Sequence, residues 1–425
     1  MSNTLMKAYI YLFPLVLMDA TKTFTTNTAK PDPVTGRAPV NQFMHGEKLA
    51  DASFKQVVSP NVDTIYSTAF VDLKDGPIVL IAPQTDRFFN VQVLDNWTDT
   101  VAVIKEGGTY VFVRNENDIE VPEGVQKIVA DTDILWLITR TIIFNQDDMV
   151  NVKKIQDGMK LLPWSCFSTG KPYVAPLGSV DEKNNFVPIE RVMSMSATEF
   201  FNKGNELLIT NPAREADKEY TEGFEELSIG AGLTFVPEKI SESIEDDYKA
   251  CKESFQVTVA TKSMEYAKKF GAWVYYGSPI GEFGTAYEYR ASIALFGLGA
   301  NPVYVAAYPK AETDSSGKAF DGNNTYKLHF NSLPPVHDDG FWSVTAYGSD
   351  DFLIDNPINR YAINDKSDFK LNEDGSLDVI LSYEKPDNET LWLPISRDKF
   401  DLIMRMYLPD TDKLETWQYP EITLV

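Results

Sequence analysis

Apolar and polar residues alternate in short runs between residues 60 and 140, and turn-forming residues separate the runs. This pattern is typical of antiparallel β-strands in a sandwich, where alternate side chains face the core. Asp75, Gly76, Gly107 and Gly108 lie where hairpin turns would connect neighbouring strands. The predicted strands span residues 64–73, 77–82, 88–94, 101–104, 109–113, 125–130 and 134–139. Seven strands over this length favour an immunoglobulin-like sandwich.

After residue 147 the hydrophobic period changes to three or four residues, which predicts helices. Val150, Lys154, Asp157 and Leu161 follow this spacing. A polar stretch with few glycines then continues from residue 237 to 270. Residues 163–188 are rich in Pro, Gly and Ser, so we expect an ordered loop that crosses from the first sandwich to the helices.

A further helix is predicted over residues 286–298, because Gly299 follows it as a helix C-cap would. Alternation returns over residues 326–330, 341–347, 377–383 and 402–407, which predicts a second sandwich of the jelly-roll type. The predicted fold class is therefore mostly β with α. Its parts are an N-terminal helix (1–30), an immunoglobulin-like β-sandwich (31–145), a helical segment with connecting loops (146–284) and a jelly-roll-like β-sandwich (285–425).

The N-terminal stretch places apolar residues on one helical face, which we expect to dock on the body of the protein. This face consists of Leu5, Tyr9, Leu12, Val16, Ala20 and Phe24. Residues 8–18 are also similar to the apolar part of a signal peptide, although only Lys7 precedes them and no small-x-small cleavage site follows. The expected compartment is the cytoplasm for the chain as encoded, and the periplasm or the exterior if this stretch is a signal.

Charge and composition exclude several classes of function. The formal charge of −23, from 62 acidic and 39 basic residues, repels phosphate groups, so neither nucleic acids nor membranes are expected as partners. Cys166 and Cys251 are too few for a disulfide framework, and His45, His329 and His337 lack ligand spacing, so no metal site is predicted. The sequence motifs for nucleotide loops, nucleophilic serines and zinc hydrolysis are missing, so no cofactor is expected either.

Two segments carry more polar and aromatic residues than packing alone requires. They are residues 60–67 and a later series that consists of Arg290, Asn301, Tyr308, His329, residues 334–335, 341–343 and 359–361. In this order and spacing they resemble two paired families, domain of unknown function 1254 in the N-terminal half and domain of unknown function 1214 in the C-terminal half. The resemblance also covers residues 41–45, 94–98, 155–158, 298–301, 308–309, 333–335, 391–394 and 405–409. The resemblance implies an immunoglobulin-like domain, a helical domain and a jelly roll, in families whose function is not established. Family members often have Arg and Asn where this chain has Ser59 and Thr390, so a site that uses either position would differ here.

The residues predicted to bind a ligand have both a functional and a structural interpretation. They are Asp63, Tyr66, Arg290, Tyr308, His329 and Trp342. Asp63 is a general base or ligand anchor in the first interpretation, and it holds the backbone of a turn in the second. Arg290 lies in an apolar helix and needs an anionic partner, for which Asp63 is a candidate. The aromatic residues and His329 suit a pocket, but they also suit a sandwich core and a structural hydrogen bond.

Two hypotheses follow. In the first, the chain binds or converts a small molecule in a cleft between the two sandwiches, and non-redox hydrolysis or isomerisation is preferred. In the second, the chain is a structural or assembly protein, such as a homo-oligomer, without a catalytic site. A closed Asp63–Arg290 bridge would favour the second hypothesis, and unpaired polar groups in an open pocket would favour the first. The sequence leaves open whether the chain is an enzyme and names no catalytic residue.

Overall fold

The structure, a computed structural model, describes residues 2–55, 58–387 and 391–425. Thr390, one of the two positions where this chain differs from the families it resembles, lies outside the described residues. An N-terminal helix, a β-sandwich, a helical layer and a second β-sandwich follow one another along the chain. The expected combination of sheet-rich domains with a helical middle is confirmed.

The first sandwich consists of two facing sheets. Its strands are β1 (Met44–His45), β2 (Thr64–Asp72), β3 (Ile78–Ala82), β4 (Phe89–Asp95), β5 (Thr100–Ile104), β6 (Gly108–Val113), β7 (Val125–Val129), β8 (Ile134–Ile142) and β9 (Lys160–Pro163). One sheet has the order β1-β2-β8-β4-β5 and the other has the order β7-β6-β3-β9. All seven strands predicted for this region are present. Strand β9 falls within the predicted helical segment 146–284 but pairs with β3, because it completes the open edge of that sheet.

Seven α-helices are present in the described chain. They are α1 (Ser2–Thr25), α2 (Met149–Gly158), α3 (Trp164–Phe167), α4 (Pro188–Ser194), α5 (Ala197–Leu207), α6 (Ile244–Ser263) and α7 (Tyr287–Gly297). Helix α1 continues through Pro14 and packs against α4, α5, α6 and α7, so the predicted docking of its apolar face is confirmed. Residues 8–18 of α1 are buried all round, and the helix forms the centre of the helical layer. None of the described helices is both long and apolar enough to cross a membrane.

The second sandwich also has two sheets. Its strands are β10 (Ala267–Phe270), β11 (Trp273–Tyr276), β12 (Ala306–Ala307), β13 (Lys310–Ala311), β14 (Tyr326–Phe330), β15 (Val336–Gly348), β16 (Ala362–Asn364), β17 (Leu377–Ser382), β18 (Trp392–Pro394), β19 (Phe400–Pro409) and β20 (Glu421–Leu424). One sheet has the order β10-β11-β13-β19-β15-β16, with β12 also on β19, and the other has the order β18-β17-β14-β20. Strands β10 and β11 precede α7, so the sheet begins before the predicted boundary at 285.

Most described strand pairs are antiparallel, and only β6–β7 and β17–β18 run parallel. The immunoglobulin-like and jelly-roll descriptions of the two sandwiches stay predictions. One feature of the first sandwich positions the candidate site. The sheet that contains β2, β8 and β4 packs through one face on its partner sheet, and through the other face on the helical layer and the second sandwich. Polar residues on that second face are therefore enclosed between domains.

Candidate functional site

A row of polar side chains crosses the domain-facing side of the first sandwich. Tyr66 on β2 and Asn90 on β4 are both cross-strand partners of Arg140 on β8, so the three side chains project from the same face of the sheet. Their neighbours on this face include Ile138 and Ile142, which pack on the other domains. We call Tyr66, Arg140 and Asn90 the polar row.

The second sandwich contributes side chains from β19 and β15 to the same region. Arg405 and Tyr407 lie on β19, and Ser343 on β15 is the cross-strand partner of Arg405. Phe341 stacks on Tyr407 with ring centroids 4.2 Å apart, and both contact Phe88 beside the polar row.

Hydrogen bonds connect the polar row to both domains. The Nδ2 of Asn61 donates to the Oη of Tyr407 at 2.5 Å and to the Oη of Tyr66 at 3.3 Å. Arg140 donates through Nη1 to Asn301 Oδ1 at 3.0 Å, and Asn301 Nδ2 donates to the Oη of Tyr308 at 2.8 Å. The network therefore contains three phenols held by two amides and a guanidinium.

Gly299 anchors Arg140 in this network. It follows α7 with φ +85°, so its predicted capping position is confirmed, and its carbonyl oxygen accepts a hydrogen bond from Arg140 Nη2 at 3.0 Å. A Cβ at this position would lie 2.7 Å from Ile138 Cδ1. Glycine is required here by both its backbone conformation and the close approach of β8.

Asp63 lies beside this network and is 2% exposed. Ser343 Oγ donates to its Oδ2 at 2.5 Å, and Asn364 Nδ2 lies 3.4 Å from its Oδ1. Burial raises the pKa of Asp63, although the positive charge of Arg405 opposes the shift. The carboxyl group therefore holds its proton more readily than an exposed aspartate does.

The two arginines of the region are buried and held by neutral groups. Arg140 and Arg405 are each 5% exposed. Arg140 donates to Gln92, Asn301 and the Gly299 carbonyl, at 2.9 to 3.0 Å. Arg405 donates to Thr345 Oγ1 at 3.2 Å and to the Ser59 carbonyl at 2.9 Å, and its guanidinium lies 5.6 Å from the Tyr347 ring centre. The region is thus rich in positive charge that is not directly paired with a carboxylate among the described residues.

The positive charge of the two arginines affects the pKa of the three phenols differently. Burial on its own would raise the pKa of Tyr66, but Arg140, Asn61 and Arg405 outweigh it and lower the pKa below that of a free tyrosine. Burial raises the pKa of Tyr308, despite Arg140, and raises that of Tyr407 well above the usual range. Tyr66 is therefore the phenol that loses its proton most readily, and the other two stay protonated.

Asn90 is the least satisfied member of the polar row. Its side chain is fully buried, and neither its amide oxygen nor its amide nitrogen has a hydrogen-bond partner among the described residues. A buried amide without partners is unusual and costly in a native protein. It indicates a polar group that the protein itself does not supply.

Arg290 lies in a different cluster, and the prediction that it pairs with Asp63 is wrong. It is 1% exposed, its Nη1 lies 3.7 Å from Asp99 Oδ2, and the rings of Tyr11, Trp97 and Tyr287 surround it at 5.2 to 5.7 Å. Asp63 and Arg290 were expected to lie together where the first sandwich meets the helix before the second sandwich. Arg290 instead joins the turn after β4 to the helical layer, where a nearer carboxylate meets its charge.

Arg214 strengthens that second cluster. It donates to Asp95 at 2.5 Å and to Asp99 at 2.6 Å. Burial raises the pKa of Asp95 to about 7, and the charge of Asp99 acts in the same direction. We call Asp95, Asp99, Arg214 and Arg290 the turn cluster; its ion pairs are those of a structural joint.

Two other predicted site residues also lie apart from the polar row. The Nδ1 of His329 on β14 lies 2.6 Å from Asp378 Oδ1, in the other sheet of the second sandwich. Trp342 is 2% exposed and packs in the second core against Phe330. It points away from the polar row because it alternates with Ser343, which points toward Asp63. Both residues therefore contact groups of the second sandwich and not the polar row.

The structure therefore brings together Asp63, Tyr66 and Tyr308, and it adds three residues that were not predicted as site residues. Arg140 and Asn90 each interrupt an apolar strand, and that interruption was the available signal. Arg405 lies in a segment that carries the family resemblance. Within the described residues, no group of three or more His, Cys, Asp or Glu side chains could hold a metal ion.

A separate open cleft of about 630 Å³ lies beside the second sandwich, lined by residues such as Lys105, Tyr304, His337 and Asp410. His337 is exposed there, and the cleft lacks a buried charged group. Its chemistry is that of a solvated surface, so we place the candidate site at the polar row.

Comparisons with known proteins support the two-part organisation. Residues 40–163 match the family model "Protein of unknown function (DUF1254)", and residues 305–411 match "Protein of unknown function (DUF1214)". The first match ends where β9 ends. No curated protein matches the chain.

A solved structure shares the fold. The crystal structure of the VPA0106 protein from Vibrio parahaemolyticus is similar with a TM-score of 0.73 at 22% identity, over 100% of this chain and 99% of that one. An uncharacterised protein from Burkholderia cenocepacia aligns with a TM-score of 0.44 at 10% identity, over 98% of this chain and 88% of that one. The similarity to the Vibrio parahaemolyticus protein shows a shared fold over the whole chain, and it carries no information on a ligand.

Proposed function

We propose that this chain, which joins a DUF1254 region to a DUF1214 region, binds a small anionic molecule between its two sandwiches and converts it by non-redox chemistry. The observation that carries the proposal is the buried positive charge of Arg140 and Arg405, which neutral groups hold. A buried charge without a counter-charge costs several kcal/mol. An anionic ligand removes that cost.

Asn90 supports a ligand at the same place. It projects from the same face as Arg140 and has an unused amide donor and an unused amide acceptor. A ligand with a carboxylate and a further polar group would satisfy both the arginine and the amide.

Two of the phenols keep part of their surface accessible, which supports contact with a ligand. They are Tyr66 and Tyr308, and both are half-buried. Tyr407, which is 0% exposed, lies behind them and supports Asn61.

The structural hypothesis has less support. A closed Asp63–Arg290 bridge at the joint would favour it, whereas Asp63 bonds to Ser343 and Arg290 lies beside Asp99. The turn cluster already supplies a structural joint between the first sandwich and the helices. The polar row is not needed for that purpose.

The proposal is tested by thermal unfolding in the presence of acetate, malonate and succinate, each compared with its neutral amide. A ligand that binds only the folded state stabilises it by about 2.7 kcal/mol at a concentration of about 100 times Kd. We expect the carboxylates to raise the melting temperature and the amides to leave it unchanged. The Arg140→Met variant should lose the response, whereas Arg87→Met, which removes an arginine paired with Asp148, should keep it.

If Arg140→Met does not fold, Arg140→Lys is the second variant, because it keeps the charge but loses the planar fork that bonds Asn301 and Gly299. Equal shifts from carboxylates and amides, or a wild-type response in both Arg140 variants, would contradict the proposal.

A further inference from the structure

We propose that Tyr66 is the catalytic base of this site and that the chain catalyses proton transfer at a carbon next to the carbonyl group of an α-keto or β-keto acid. This inference rests on the proposed function and specifies its substrate class and reaction. Two arrangements carry it: the donors around the Tyr66 oxygen and the two protonated phenols nearby. The unpaired amide of Asn90 supplies a group that binds the substrate.

The first arrangement concerns the oxygen of Tyr66. Asn61 Nδ2 lies 3.3 Å from it and is shared with Tyr407 Oη and Thr64 Oγ1, and the Arg140 guanidinium lies 5.4 Å from the centre of the Tyr66 ring. Donors and positive charge stabilise a phenolate and weaken its hold on a proton. Tyr11 and Tyr287 show the opposite arrangement: both hydroxyls donate to Asp217 at 2.8 Å, and that carboxylate adds to burial in raising their pKa. Tyr66 is thus arranged to accept a proton.

The second arrangement is the difference between Tyr66 and the other two phenols. Tyr308 and Tyr407 hold their protons more tightly than Tyr66, and Tyr308 is half-buried, as Tyr66 is. A protonated phenol in a water-poor site donates a strong hydrogen bond to an oxygen that gains negative charge. When the environment shifts the pKa values of neighbouring groups in opposite directions, the group with the lowered pKa acts as the base and the group with the raised pKa acts as the acid or hydrogen-bond donor. Tyr66 is the base, and Tyr308 is the donor to the developing oxyanion.

The groups that face Tyr66 come from every element packed around it. Arg140 approaches from β8, Arg405 and Tyr407 from β19, and Tyr308 from the segment before β13. Asp63 directly precedes β2; burial raises the pKa of its carboxyl group, and the charge of Arg405 opposes that shift. The two arginines therefore face this one carboxyl group, so the charge among these groups is positive before Tyr66 ionises.

The reaction is balanced without an oxidant or a reductant. The C–H bond next to the carbonyl breaks, its electron pair forms the carbon–carbon double bond of an enolate, and the carbonyl oxygen takes the negative charge. The proton goes to the Oη of Tyr66. In the return step the Oη gives this proton to the same carbon or to the carbon at the other end of a conjugated system, and Tyr66 is again a phenolate. Arg140 and Asn90 bind the carboxylate and hold the C–H bond toward Tyr66.

Two measurements test the inference. The first is a pH titration of the phenolate absorption band. Folded wild-type protein should ionise about one tyrosine below the usual tyrosine pKa of about 10, and Tyr66→Phe should lack this early step. Tyr304→Phe should keep the step, because Tyr304 is 43% exposed, hydrogen-bonded to Glu282 and has a raised pKa. Unfolding in urea should remove the step, and its absence from folded wild-type protein overturns the role of Tyr66 whether or not Tyr66→Phe folds.

The second measurement is the loss of C–H proton signals from pyruvate and from acetoacetate in deuterium oxide, followed by nuclear magnetic resonance. Wild-type protein and Tyr304→Phe should catalyse the exchange, and Tyr66→Phe should reduce it at least tenfold. Calorimetric titration with the same two acids separates the hypotheses. Binding without exchange, or a folded wild-type protein without the early ionisation step, overturns the role of Tyr66 alone. Failure of both acids and of the simple carboxylates to bind overturns the proposed function as well.

Discussion

Replacement of Asn90 by valine should stabilise the protein while it weakens ligand binding. Asn90 is fully buried on β4, and both of its amide atoms lack partners among the described residues. Valine is close to asparagine in size, carries no polar group and is favoured in strands. The substitution therefore removes a cost that the protein alone does not recover.

The magnitude follows from the burial of the amide. A buried polar group without a partner costs about 1–3 kcal/mol. We expect Asn90→Val to raise the free energy of unfolding by about that amount in ligand-free protein. Each kcal/mol corresponds to roughly 2–4 °C in melting temperature for a unit of 150–250 residues. The same change should weaken carboxylate binding by about tenfold, which corresponds to about 1.4 kcal/mol.

Asn205 offers a matched control for this experiment. It is 1% exposed on α5, and its amide is fully used, since it donates to the carbonyls of Ser228 and Leu233 at 3.0 Å and accepts from Gly230 N at 2.8 Å. Asn205→Val should therefore destabilise the protein, by about 1.5 kcal/mol or more, because three backbone groups lose a hydrogen-bond partner. Urea unfolding of ligand-free protein measures both variants. If Asn90→Val loses stability as Asn205→Val does, the amide of Asn90 has a partner and the reasoning is refuted.

Two further predictions concern the turn cluster. In a double-mutant cycle measured by urea unfolding, the effects of Asp99→Asn and Arg290→Met on the free energy of unfolding should couple by about 0.5–3 kcal/mol. The effects of Asp63→Asn and Arg290→Met should add within roughly 0.5 kcal/mol, because Asp63 and Arg290 share no partner. Strong coupling between Asp63 and Arg290 would restore the pairing that the structure contradicts. The second prediction concerns pH. Burial raises the pKa of Asp95 from 3.8 to about 7, so the folded state binds this proton more tightly than the unfolded state. The free energy of unfolding that comes from this proton is complete below pH 3.8 and is lost as the pH rises to about 7. Asp95→Asn should remove this slope, and a difference between the unfolding free energies of wild type and variant that is equal at about pH 5 and about pH 8 would contradict it.

Much of the fold was predictable because the signals are local. A period of two residues identified β2 to β8, which are seven of the nine strands of the first sandwich, and Gly299 identified the end of α7. Strands β1, β12, β13, β16, β18 and β20 were not identified, and neither were β9, β10 and β11. The short sequences of β9, β10 and β11 become strands only because an open sheet edge lies beside them, and that edge is formed by residues far away in the chain.

The candidate site was predictable in part. Asp63, Tyr66 and Tyr308 were identified from polar and aromatic residues concentrated in a few segments, and the structure places them together. His329 and Trp342 belong to the same kind of segment but point elsewhere, since one residue of register reverses the face of a strand. Arg290 was correctly expected to need an anionic partner, but the sequence could not show that Asp99 is closer to it than Asp63.

The sequence by itself thus determined the order of the sandwiches and helices and the docking face of α1, because hydrophobic periodicity acts over a few residues. The tertiary structure decided which charges meet. Arg140, Asn90 and Tyr66 are separated by 24 to 74 positions in sequence, yet strand pairing places them side by side on one face. Whether a buried charge has a counter-charge depends on distances of a few ångströms between such remote segments, and a linear pattern does not contain those distances.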